Sequence, residues 1–298
     1  MFKLLATGAI LVAVGLGLTI VGGVISGEGI NMHDGFNDLE MADPYITDAT
    51  GVGTIDVQVE NRRVVVQPAI DDQITITYAE STRDKIEITN EGGVLTLTNE
   101  VNHWFWFTMN FGMMTSTQER TVTVSIPSTL AVDLSVDTEN GTLIVSDLPE
   151  VTSLDLNSVN GNIALTNLSG LATVDAVTTN GEISLENVTV TSAVELSTAN
   201  GTIDLDGVSS PTIRATTSNG EVKGQDITGE DVTFHSVNGN VELEIHGELS
   251  DFYVKLSTVN GSMYIDGSKV TQNAYNTNLP DKLDLSTTNG SVRLNFVA

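Results

Sequence analysis

The dipeptide Asn-Gly occurs eight times in this chain, at Asn140, Asn160, Asn180, Asn200, Asn219, Asn238, Asn260 and Asn289, at steps of 20, 20, 20, 19, 19, 22 and 29 residues. A single such pair between alternating apolar residues signals a hairpin. Eight at a near-constant period form an internal repeat, which restricts the possible folds more than any bulk property. Two residues before each Asn stands Ser or Thr: Thr138, Ser158, Thr178, Thr198, Thr217, Ser236, Thr258 and Thr287. Four and six residues before it the chain is apolar throughout, as in Leu156 and Leu154 or Leu285 and Leu283. Past the Gly the alternation resumes, with Ile163 and Leu165 or Ile203 and Leu205, and Gly224 as the one interruption. Period two marks strands with one buried face. The apolar parity shifts by one residue across Asn-Gly, so the chain turns a corner there while both strands face one interior. Such a corner is expected to use Gly for a positive φ, and Asn for its tolerance of left-handed backbone and its local hydrogen bonding.

Two topologies carry this pattern, a string of antiparallel hairpins and a parallel β-helix with about 20 residues per coil. In hairpins, successive turns meet different partners, and nothing keeps every column equivalent. In a β-helix each column stacks on itself about 4.8 Å apart, which gives column identity a physical cause. The sequence therefore predicts an all-β fold, a parallel β-helix over residues 128–298. Its Asn and Ser/Thr columns are expected to form structural ladders that bond from coil to coil at one corner.

Upstream, Leu4 to Ile25 is free of charged residues. As a helix it would be roughly 33 Å long, enough to cross a bilayer's hydrocarbon core. It exceeds a signal peptide's apolar region, and Val24-Ile25-Ser26 is a poor cleavage site. Residues 1–26 are thus predicted to be one N-terminal transmembrane helix. Lys3 lies before it and acids follow it, so the C-terminal domain is expected outside the cytoplasm, in a single-pass arrangement at the cell membrane. Residues 27–50, acidic and punctuated by Gly, Asp and Pro44, read as a tether. Residues 51–127 alternate less regularly ("TIDVQV", "RVVVQP", "QITITY", "RTVTVSIP") and fit either an N-terminal β cap or degenerate first coils. A cap is favoured, because an open solenoid end exposes a strand edge.

The run "RTVTVSIPSTLAVDLSVDTENGTLIVSDL" and the coils "[ST]-x-N-G-x-[ILV]-x-[LIV]" that follow it resemble the bacterial putative-adhesin family. This is a domain family of unknown function with β-helical surface proteins among its members. The resemblance extends from Thr54 to the C-terminus. It implies an extracytoplasmic, non-catalytic role in adhesion or envelope-stress physiology and carries over no catalytic residue; the expected function is a surface module for adhesion, envelope sensing or scaffolding.

Composition narrows the partners. Twelve Lys and Arg against 39 Asp and Glu give a formal net charge of −27, which repels nucleic acid and anionic lipid. The membrane through its N-terminal helix, an envelope glycan or another surface protein remain as partners. Cysteine is absent, so thiolate chemistry is excluded. His33, His103, His235 and His246 stand in no catalytic or metal-binding motif, and no P-loop, nucleophile elbow or dinucleotide fingerprint occurs. The rival class is a glycan-active β-helix enzyme, a polysaccharide lyase or hydrolase, which needs paired acids or an acid with a base. One outward column does stack Asp155, Asp175 and Glu195. A hydrated acidic face is the plainest account of it, and weak calcium binding through carboxylate oxygens is the chemical alternative. No other cofactor is expected. A second outward column, Asp204, Lys223 and Glu242, alternates in sign as an ion-pair ladder does. The segment Val101–Thr117 contains both tryptophans; Trp104, Phe105, Trp106 and Phe107 leave no polar face in a strand or a helix, and Phe111 adds to the candidate interface. It reads first as a cap over the solenoid end, and otherwise as an interface with membrane or partner.

Overall fold

A computed structural model describes residues 39–81, 84–101 and 120–297. Strand pairing decides between the two topologies. Leu154 lies beside Val174, Val174 beside Val194, Val194 beside Ile213 and Ile213 beside Val232, all in parallel register. The repeats are therefore coils of a parallel β-solenoid, and the hairpin alternative is excluded. Each regular coil runs along a first face, exemplified by Val151–Ser158, and turns at Asn-Gly. It continues along a shorter second face such as Leu143–Ser146, and turns again at a second corner. A short third side follows, buried through Leu148, Leu168, Val188, Val208 and Ile227.

The stack departs from chain order at both ends. The first parallel strands in sequence, Thr54–Val59 and Arg63–Pro68, pair on one side with Val132–Thr138 and Leu143–Ser146. On the other side they pair with Val94–Val101 and Thr121–Ile126, which form the outermost coil. At the opposite end Lys282–Asn289 inserts between Asp231–Asn238 and Tyr253–Asn260. Likewise Val292–Val297 lies between Val241–His246 and Met263–Ile265. The long steps to Asn260 and Asn289 thus record an exchange of stacking order. The physical gain is that the first and the last parallel strands in sequence each pair along two edges.

The remaining edges are covered by antiparallel strands. Asp84–Glu91 lies on Val94–Val101, Gln73–Thr77 on Thr121–Ile126, and Tyr45–Asp48 on Gln73–Thr77. At the far end Ser268–Val270 and Ala274–Tyr275 cover part of the Asn260 coil. Short, polar cover of this kind blocks edge-to-edge pairing. Residues 51–127 therefore supply both true coils in register and antiparallel cover. The tether expected over residues 27–50 needs a correction, because Tyr45–Asp48 is a strand of the main sheet. Hydrophobic Tyr45 and buried Ile74 and Ile76 give that strand a reason to dock. No helix among the described residues is long and apolar enough to cross a membrane; Leu4–Ile25 lies outside them.

The core is built of aliphatic columns, and its one irregularity is compensated locally. Gly224 stands between Leu205 and Leu243. A Cβ there would lie 2.9 Å from the ring of Phe234, the bulkiest apolar residue of the fully buried core. The phenyl ring fills the volume that a leucine would occupy, and the close packing of an interior demands the exchange.

Candidate functional site: the ladder corner and the outer faces

At the first corner all eight Asn-Gly asparagines join one continuous side-chain ladder. Nδ2 of Asn140 donates to Oδ1 of Asn61 at 2.7 Å, and Asn160 donates to Asn140 at 2.8 Å. The pattern continues through Asn180, Asn200, Asn219 and Asn238 at 2.7–2.9 Å. Asn289 then donates to Asn238, and Asn260 to Asn289, each at 2.7 Å. Beneath this exposed ladder runs a buried one. The hydroxyls of Ser158, Thr178, Thr198, Thr217, Ser236, Thr287 and Thr258 each donate to the carbonyl oxygen of the corner glycine in the neighbouring coil, at 2.8–3.1 Å. Thr138 makes the equivalent bond to Arg62 at 3.3 Å. Each rung of this lower ladder pairs a hydroxyl and a backbone carbonyl that the corner would otherwise leave without a partner.

The glycines serve a different purpose from the one expected. None of the corner glycines has a positive φ. A Cβ on Gly161 would lie 1.9 Å from the carbonyl oxygen of Gly141, and one on Gly201 1.8 Å from that of Gly181. Glycine is required because coils stack backbone against backbone at this corner. The left-handed backbone sits instead at the second corner, in Asp147, Asn167, Asn187, Gly207, Asp226 and Asp266, with φ between 48 and 64. There Asn167 donates to Asp147 at 2.9 Å and Asn187 to Asn167 at 3.2 Å. Sequence reasoning missed this second column; its signal was an Asp, Asn or Gly seven residues after most of the corner asparagines.

One position breaks the glycine rule. Arg62 follows Asn61 at the first corner and is fully buried. Its guanidinium donates to the Ala79 carbonyl at 2.7 Å and pairs with Asp84 at 2.6 Å. A side chain is tolerated because the outermost coil has no Asn-Gly above it; its two strands end at Val101 and resume at Thr121. The aromatic segment with Trp104, Phe105, Trp106, Phe107 and Phe111 connects those strands, and lies outside the described residues.

On the first face Asp155, Asp175 and Glu195 are register neighbours, as the repeat predicts. Between Arg120 and Arg214 the chain has no Lys or Arg to offset them. Partial burial, and then repulsion from Asp155 and Glu195, raise the Asp175 carboxyl above its ordinary range. Asp137 is raised by burial too, against the lowering effect of its bond with Asn157, and further by Asp155 and Asp56. The three acids are strung along a face one coil apart, and no group of three or more His, Asp or Glu among the described residues is arranged to hold a metal ion. The second face carries the alternating column Asp204, Lys223, Glu242, extended by the inserted coil. Arg293 bonds Glu242 and lies 5.4 Å from the Tyr264 ring centre.

The two described histidines have separate partners, His235 with Ser286 and His246 with Asp226. A shallow open depression of about 400 Å³, lined by Asp48, Thr50, Asp72, Thr129 and Leu130, lies away from both the acidic column and the histidines. Reactive side chains are thus distributed along ladders, and the faces present repeated polar columns.

A capped parallel solenoid with laddered corners is the class this geometry defines, and it is consistent with a non-catalytic surface module. The chain belongs to the Toastrack DUF4097 family, which matches residues 52–295. The solved structure of a putative adhesin from Bacteroides fragilis is similar over 87% of this chain and 97% of its own, with a TM-score of 0.51 at 11% identity. At that identity the likeness shows a shared fold. A putative adhesin from Parabacteroides merdae covers 89% of this chain and 98% of its own, with a TM-score of 0.42 and 14% identity. No curated protein matches the chain.

Proposed function

We propose that this protein is a membrane-tethered module of the outer cell surface that holds an envelope partner, a glycan or another surface protein, and performs no catalysis. The observation that carries this is the layout of the two outer faces. Their polar side chains repeat in columns one coil apart, where a hydrolase or lyase gathers an acid and a base around one bond. Regularly spaced arrays of hydrogen-bonding groups suit extended, repetitive ligands, because successive coils meet successive units of the ligand. The charge-free run Leu4–Ile25 and the single preceding Lys3 support tethering with the solenoid outside.

Protease treatment of intact cells, followed by blotting for the C-terminal domain, tests the placement. Digestion without lysis is expected; protection until lysis would refute it. Pull-down of envelope fractions with the purified protein tests the binding. Capture of glycan or surface protein supports the proposal, and glycan released in shortened form would establish the enzyme instead.

A further inference from the structure

The Asn ladder has a free end, and the free end carries chemistry. Asn140, Asn160, Asn180, Asn200, Asn219, Asn238 and Asn289 each donate to one neighbouring asparagine and accept from another. Asn260, in the outermost coil, only donates, to Asn289. Five of the eight corner glycines add a second clamp. The amides of Gly181, Gly201, Gly220, Gly239 and Gly290 donate to the Asn carbonyl of the next coil at 3.0–3.2 Å. Among the described residues no coil lies beyond Gly261. It is exposed, whereas every other corner glycine is buried or half-buried. The preceding residue follows suit: Val259 is 73% exposed, against 46% for Val159 and 36% for Val237.

We infer that Asn260-Gly261 is a site of spontaneous deamidation and isoaspartate formation, and that the fold suppresses this reaction at the other seven pairs. The chemistry needs three freedoms: the Asn side chain must rotate its Cγ towards the following amide, that amide must lose its proton, and water must arrive. The Gly261 nitrogen then attacks Cγ of Asn260. The side-chain nitrogen leaves as ammonia, and a five-membered succinimide forms. Water opens either of its carbonyls, leaving aspartate or isoaspartate at position 260. Glycine is the least hindered residue that can follow the asparagine, so all eight pairs have the intrinsic reactivity. In the interior rungs the amide is clamped from two sides, and in the five named coils the nucleophilic N–H is itself bonded. At Asn260 one side-chain bond holds the amide, and the N–H of exposed Gly261 has no hydrogen-bond partner among the described residues. The product places a carboxylate at the open end of the ladder, where it no longer donates to Asn289.

The sequence provides internal controls, since Val-Asn-Gly occurs at Asn160, Asn238 and Asn260 and local sequence effects cancel among them. The full-length protein is incubated folded, at mildly alkaline pH, and sampled over time by peptide mapping with mass spectrometry and isoaspartate detection. A parallel sample is held unfolded in urea. In the folded protein Asn260 is expected to convert about tenfold or more faster than Asn160 and Asn238, and in urea the three rates should converge. Equal rates in the folded protein would overturn the proposal. A preference for Asn260 that persists in urea would also overturn it, by assigning the effect to local sequence.

Discussion

Replacing Gly181 by Ala tests the claim that the corner glycines exist for backbone stacking. The new Cβ would lie 2.0 Å from the carbonyl oxygen of Gly161, so about 1 Å of separation must be found to reach the 3.0 Å below which such contacts essentially never occur. Neither backbone is free to provide it. The Gly161 oxygen accepts from Thr178 at 2.9 Å, Asn180 donates to Asn160 at 2.7 Å, and the Gly181 amide donates to Asn200 at 3.2 Å. Opening the corner sacrifices these three bonds, each worth about 1 kcal/mol, so the substitution should cost about 3 kcal/mol or more. For a domain of this size that corresponds to a melting temperature lower by about 6–12 °C, measured by circular dichroism. Two controls separate stacking from φ. Gly53 has no positive φ and nothing within 4 Å of its Cβ position, so Gly53→Ala should change stability by less than about 0.5 kcal/mol. Gly92 is equally open but has a φ of +60°, so Gly92→Ala should cost about 1 kcal/mol. If Gly181→Ala melts together with Gly53→Ala, the stacking argument fails.

Asn180→Leu removes one donated and one accepted ladder bond and should cost about 2 kcal/mol, whereas Thr179→Leu on the exposed side should fall within about 0.5 kcal/mol of wild type; equal melting temperatures would refute the ladder's contribution. Asp84→Asn leaves the buried Arg62 without its counter-charge and should destabilise by about 3 kcal/mol, a loss that chemical denaturation would register. Because Asp137 and Asp175 titrate above their ordinary range in the folded protein, the folded state binds protons more readily than the unfolded one between the two pKa values. Their contribution to stability therefore falls as pH rises through that window and recovers on mild acidification. Melting curves of Asp175→Asn should show greater stability than wild type at neutral pH and a weaker gain on acidification; parallel pH profiles would show that the column does not titrate as described.

The sequence alone determined the coil. Leu154, Val174 and Val194 occupy one environment repeated in space, so the apolar columns, the polar faces and the corner at Asn-Gly are written in period and parity. The ladder residues were legible for the same reason, since each asparagine serves the same two neighbours. Only the tertiary structure decided which coil lies on which. Parallel stacking presents the same edge from every coil, so no column distinguishes Asn238 beside Asn260 from Asn238 beside Asn289; that choice rests on linkers and on the antiparallel cover at the ends. The reason for glycine was likewise hidden, because the atom that forbids a Cβ on Gly181 belongs to Gly161, a coil away. Arg62 could stand in the glycine column only where no Asn-Gly corner lies above it. Which coil neighbours Arg62 is decided by the stacking order, and local sequence has no means of expressing it.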